Sequence, residues 1–177
     1  VWGGKAYRSW LTELSEGRSM QNTLGLQVRQ DRIRVGLYDT VDRQIQSTVR
    51  DDDVQQTLVG IYGENEMGWS LWLRTLTGLR VDQFNAKVTS DSQPQNSGNA
   101  AASKVSPKFS VIFGPWQKTE FFINAGNGFH SNDARGTTAK VDPKTGLPID
   151  SVPGLVSSRG QEIGVKSQIV PNLQTTL

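Results

Sequence analysis

The sequence predicts an all-β chain, an antiparallel sheet curved into part of the wall of a transmembrane barrel. Three observations predict it. Segments of about ten residues alternate in polarity, tight and long connections take turns between them, and tryptophans gather beside the tight connections. No stretch approaches the roughly 18 consecutive apolar residues of a membrane-crossing helix, and residues 1–10 lack the basic-then-apolar layout of a signal peptide.

Eight segments are expected, at residues 1–10, 20–31, 54–66, 71–84, 106–114, 119–130 and 159–169, with an eighth starting at 173. The first mixes Lys5 and Tyr7 on one side, so its faces stay unassigned. In the second, Leu24, Leu26 and Val28 oppose Gln27 and Arg29. The third is apolar on both sides between Leu58 and Tyr62. The fourth alternates most clearly: Leu73, Thr75, Thr77, Leu79 and Val81 share one face, and Arg74, Arg80 and Asp82 the other. In the fifth, Phe109, Val111 and Phe113 oppose Lys108 and Ser110. In the sixth, Phe121, Ile123 and Ala125 oppose Glu120, Asn124 and His130. In the seventh, Ile163, Val165 and Ile169 oppose Glu162, Lys166 and Gln168. Glycines at 25, 60, 78, 126, 128 and 164 fall inside these segments, where a curved sheet uses them for bends and close backbone approach.

The connections fall into two classes. Residues 67–70, 115–118 and 171–172 read as tight turns, and 11–19 belongs with them, with room for a helical turn. Residues 33–53, 85–105 and 131–158 read as long loops rich in Asp, Ser, Asn, Gln, Gly and Pro. Compact soluble domains seldom carry structureless loops beyond about 12–15 residues, whereas outer-membrane barrels carry them at one rim. Trp10, Trp69, Trp72 and Trp116 lie beside the short connections, as in an interfacial aromatic girdle; the bland alternative is that they cap the core of a soluble sheet.

Composition narrows the function classes. Nineteen Lys and Arg against seventeen Asp and Glu leave +2, with the basic residues scattered, which is no nucleic-acid footprint. The absence of cysteine removes disulfides, zinc-finger spacings and thiol chemistry. Hydropathy is negative on average, as expected when only alternate strand residues meet lipid.

Several stretches together resemble the later part of the barrel of TonB-dependent outer-membrane receptors. They are Gly78-Leu79-Arg80-Val81-Asp82, then Ser106-Pro107-Lys108-Phe109-Ser110-Val111 leading to Gly114-Pro115-Trp116, and Glu120-Phe121-Phe122-Ile123-Asn124-Ala125-Gly126. Gly128-Phe129-His130-Ser131-Asn132-Asp133-Ala134-Arg135-Gly136 and Arg159-Gly160-Gln161-Glu162-Ile163-Gly164 follow. The resemblance covers nearly the whole chain in order. It implies a barrel of about 22 strands closed by a plug, of which residues 1–177 form about a third of the wall, with plug and TonB-contacting segment absent from this chain. Both ends read as cut. It further implies a Gram-negative outer-membrane location, lipid around the wall, a plug of the same receptor, TonB as the energy source, and a small nutrient such as a ferric siderophore, cobalamin, another metal complex or a carbohydrate.

Few residues suggest chemistry. His130, the only histidine, stands with Ser131, Asn132 and Asp133 where a strand meets a long loop. A barrel hydrolase would use His130 as a base toward Ser131, but neighbours on a strand point to opposite faces, so a strand-end polar cap is the plainer reading. In a receptor, His130, Asp133 and Arg135 are the candidate ligand-binding residues at the outer rim. Arg74, Arg80, Asp82, Glu120, Glu162 and Lys166 are expected to face the lumen as cross-strand ion pairs or plug contacts. Asp51-Asp52-Asp53 lacks the spaced ligands of a calcium loop and reads as a solvated loop end. Asn96-Ser97-Gly98-Asn99 and Asp142-Pro143-Lys144-Thr145-Gly146 read as turns without the strand-to-helix setting of a phosphate loop. No catalytic residue, cofactor or metal site is expected. The rival readings are another outer-membrane barrel, such as a porin or barrel hydrolase, and a soluble β-sandwich with its aromatics between two sheets.

Overall fold

The computed structural model describes residues 1–14 and 17–177. The strands are β1 (Trp2–Glu13), β2 (Ser19–Val41), β3 (Gln44–Ser70), β4 (Leu73–Ser90), β5 (Gly98–Trp116), β6 (Thr119–Ser131), β7 (Leu155–Ser167) and β8 (Thr175–Thr176), with a short helix α1 (Ala134–Thr138) between β6 and β7. They form one antiparallel sheet in sequential order, a half-barrel, as the alternation predicts. A single sheet is not the two-layer sandwich of the rival reading. The helical turn expected within 11–19 falls partly on residues 15 and 16, outside the described residues.

The two faces of this sheet meet different surroundings. Leu26, Ile61, Val81 and Val105 lie in one row across β2 to β5, with Leu24 and Leu79 in the next. No second protein layer covers them: Leu79 is 52% exposed and Ile163, on β7, 81%. The register also assigns β1, whose Tyr7 and Lys5 fall on the opposite, inner face, beside Gly25 and Gln27. At the tight-turn rim, Trp72 stacks on Trp116 at 6.4 Å, Phe121 lies 6.3 Å further on, and Trp69 donates to Thr75 at 2.8 Å. Trp2 lies toward the other rim and donates to Gln30.

Several expected boundaries need correction. Residues 33–53 are not a loop: β2 and β3 run on and close at Asp42 and Arg43, both left-handed (φ 50° and 65°) as a two-residue hairpin turn requires. The polar stretch hides a continuing period of two, Ile33, Val35 and Leu37, stiffened by Arg34 paired to Asp51 at 3.0 Å. Asp51-Asp52-Asp53 is therefore strand, and Asp52 is fully buried against Arg50 instead of solvated. Of residues 85–105, only 91–97 leave the sheet, whereas 132–154 is a true long connection. The tight turns sit slightly later than expected, at Leu71-Trp72 and Gln117-Lys118. β7 ends at Ser167, so Gln168 and Ile169 lie beyond it.

The inner face changes character along its height. Toward the tight turns its rows are polar: Glu64, Gly78 and Lys108, then Tyr62, Arg80 and Ser106, then Gly60, Asp82 and Lys104. Beyond these come Leu58, Phe84 and Ala102, then Gln56, Ala86 and Ala100, then Val54, Val88 and Gly98. These largely apolar rows are covered, Phe84 to 2% and Val88 to 1% exposure, by Ala134, Leu155 and Phe129 of the β6–β7 region.

That cover is possible because the wall divides. β4 stays paired with β5 as far as Gly98, and β6 with β7 as far as Leu155, but the β5–β6 ladder stops at Lys108 and Gly126. The next residue on β5 is Pro107, which has no N–H to give, and Gly126 and Gly128 ease the bend. Alternation carried forward from Phe121 would put Asn127 and Phe129 outside. Instead Asn127 lines the inner cavity and Phe129 packs on the Phe84 cluster.

Leu79→Arg or Val111→Arg is expected to cost about 2–4 kcal/mol if the site lies near the bilayer midplane, and Ser110→Arg, on the inner face, far less. Urea unfolding in lipid or detergent measures this, and equal costs would refute the face assignment.

Candidate ligand-binding surface

The β6–β7 connection is anchored as a shelf on the inner wall. Asp133 caps α1: its Oδ1 accepts from the Arg135 N–H at 2.9 Å, and both oxygens accept from the Arg135 guanidinium at 2.7–3.1 Å. The guanidinium hydrogen bond holds the Asp133 carboxyl below the usual carboxylate range, and Asp133 in turn raises the proton affinity of Arg135. Further along, Asp142 accepts from the N–H groups of Lys144 and Thr145 and from the Thr145 hydroxyl, which depresses its own pKa and forms the turn its sequence predicts.

Asn96 ties this shelf to the β4–β5 connection, and its side chain is fully used. Its Oδ1 accepts from the backbone N–H of Lys140 (2.8 Å) and Val141 (3.0 Å), and its Nδ2 donates to Val141 O at 3.0 Å. The Thr138 hydroxyl donates to its backbone carbonyl at 2.9 Å. The sequence marks this residue only as a turn former; the structure buries it to 1% exposure. Burial of Phe84 and Val88 is worth about 1.5–3 kcal/mol each and a net hydrogen bond about 0.5–1.5 kcal/mol. With four hydrogen bonds at Asn96 the two contributions are of similar size, so the apolar cover and Asn96 together hold the shelf down, and the directional bonds of Asn96 also fix its position.

Between the shelf and the β2–β3 hairpin lies a cleft of about 260 Å³, lined by Ile33, Val35, Val54 and Gln56 on the wall and by residues 131–135 on the shelf. Asp133 and Arg135 thus come together at the mouth. His130 is exposed on β6 and does not line the cleft. Gln56 was missed by sequence reasoning. It donates to Asp31 at 2.8 Å, and Arg29 holds Asp31 in turn at 3.0 Å. The signal was available as Arg-x-Asp within a strand, which puts both charges on one face; it recurs at Arg50 and Asp52 and at Arg80 and Asp82.

A second cavity, about 480 Å³, lies lower on the concave face and draws on β1 to β6. Three side chains here reach across a whole strand by lying over a glycine. Lys108 passes over Gly78 to pair with Glu64 at 2.7 Å, and Arg80 passes over Gly60 to donate to Gln27 at 3.2 Å. Tyr62 covers Gly25, and Lys5 lies 5.4 Å from its ring centre. A Cβ on any of these glycines would collide with the crossing side chain.

The six residues expected to face the lumen share this concave side of the sheet. Arg80 and Asp82 form a two-toothed pair at 2.7–2.9 Å, with Asp82 fully buried. Arg74 donates to Glu120 across β5 at 2.7 Å. Glu162 accepts from Asn124 at 3.0 Å, and Lys166 stands opposite Glu120 in the ladder. Among the described residues, no cluster of His, Asp and Glu is arranged to hold a metal ion.

Asp133→Ala should cost the shelf a helix cap, about 0.5–2 kcal/mol. Because the folded pKa of Asp133 is depressed, its contribution is complete above the unfolded value near about 4 and is lost as pH falls through the lower folded value. Hydrogen exchange at residues 134–138, corrected for intrinsic rates, should therefore show opening only in that acid range; the Asp133→Ala chain should lack the step.

Comparison with known proteins places this geometry. The family model described as TonB dependent receptor-like, beta-barrel, matches residues 3–177. A solved structure, the copper transporter OprC, superposes with a TM-score of 0.64 at 14% identity, a likeness of fold. It covers 94% of this chain and 27% of that one, so this chain spans about a quarter of OprC's length. No curated protein matches. With the family model running over nearly the entire sequence, the chain belongs to the TonB-dependent receptor-like β-barrel family.

Proposed function

We propose that the chain is part of the wall of a Gram-negative outer-membrane receptor that binds a scarce nutrient and imports it with energy supplied through TonB. The observation that carries this reading is the two-sided sheet: uncovered apolar rows on the convex side, and ion-paired rows on the concave side. That division suits a wall between hydrocarbon and an enclosed aqueous space. The nutrient class is a ferric siderophore, cobalamin or another metal complex. The wall has no catalytic role. A plug encoded elsewhere in the receptor occupies the lumen, where Arg74, Arg80, Asp82, Glu120, Glu162 and Lys166 face it. His130, Asp133 and Arg135 meet the arriving ligand at the outer rim.

The test is growth of cells lacking the gene on each of a ferric siderophore, cobalamin and a copper complex as the limiting source. One defect is expected, reproduced by loss of TonB and reversed by the intact gene. A TonB-independent defect in diffusion of small sugars would instead identify a porin.

A further inference from the structure

We propose that the β6–β7 connection is a permanent shelf in the inner wall, not a gate, and that a solute entering from outside passes on its hairpin side, through the cleft against Ile33 and Val35. Three independent features hold the shelf closed. It covers the apolar rows of Phe84, Ala86 and Val88, which would lose that cover if it lifted. Asn96 engages Lys140, Val141 and Thr138 from the neighbouring connection. The strands that carry the shelf, upper β6 and β7, stay paired to each other up to Ser131 and Leu155, so it has no slack hinge at its root.

The facing hairpin is built differently. Beyond Ile33 nearly every β2 residue is exposed, and the β2–β3 register shifts twice near the tip, between Leu37 and Tyr38 and between Asp39 and Thr40. Irregular ladder and exposed side chains are the features of a segment that opens at low cost. Movement at the mouth therefore belongs to the hairpin, and Asn96 is a positioning residue for the fixed side.

Cysteine labelling tests this on cells carrying the whole receptor, with any cysteine outside residues 1–177 replaced by serine; these residues contain none. A membrane-impermeant maleimide should modify Ile33→Cys at least 100-fold faster than Val88→Cys, which lies beneath the shelf. Asn96→Ala should raise the Val88→Cys rate at least tenfold and leave Ile33→Cys unchanged; Asn96→Asp, which retains the two acceptor contacts, should raise it less. A Cβ on Gly154 would lie 3.5 Å from that of Ala102, within disulfide reach, and 3.0–3.1 Å from the Phe84 ring, which must shift slightly to admit it. The pair Ala102→Cys and Gly154→Cys should therefore cross-link fully without slowing Ile33→Cys. Equal labelling of Val88→Cys and Ile33→Cys, or a cross-link that slows cleft labelling, would overturn the proposal. Should Val88→Cys fail to assemble, Ala86→Cys reads the same surface. None of these measurements uses a nutrient, so they stand or fall separately from the uptake experiment.

Discussion

Everything in this molecule follows from the way a β-ladder satisfies its backbone. Each N–H and C=O finds its partner on an adjacent strand, and once that pairing is set, every side chain is committed to one side of the sheet. Hydrocarbon cannot supply missing partners, so a spanning wall admits no other arrangement than continuous pairing. The rows from Leu26 to Val105 outside and from Tyr62 to Ser106 inside are two readings of one register. A slip of one residue in β4 would exchange Leu79 for Arg80 and ruin both faces together.

Much of this was legible in the amino-acid order. Leu73 to Asp82 alternates cleanly because its two faces differ in solvent, and the tryptophans mark one rim. What escaped did so for identifiable reasons. Residues 33–53 look loop-like because this hairpin carries charge on both faces, so Ile33, Val35 and Leu37 are masked by Arg32 and Arg34. Asp52 seemed solvated because a run of acids hides the single partner, Arg50, two positions back. The roll of β6 after Gly126 cannot be read from β6 alone; it depends on Pro107 of another strand. Asn96 and Gln56 are ordinary turn and strand residues until distant segments reach them. The sequence brought attention to Asp133 and Arg135, but nothing in it places Ile33 and Val54 opposite them.

The interior glycines show how local sequence serves a wide sheet. Ordinary cross-strand pairs link immediate neighbours. At Gly25, Gly60 and Gly78 the missing side chain lets a long one from the next strand lie flat and touch the strand beyond. Such contacts span three strands and couple β1 through β5, while leaving the concave space unfilled. The same sites would be poor choices in a tightly packed soluble core, where a glycine simply forfeits contacts.

The fork at Pro107 has a geometric effect of its own. Each strand contributes about 4.8 Å to the girth of a sheet. Below the fork, β6 and β7 count toward that girth; above it, they turn inward and line the wall instead. The wall above the fork thereby gives up two strands of girth, and those two strands become its lining.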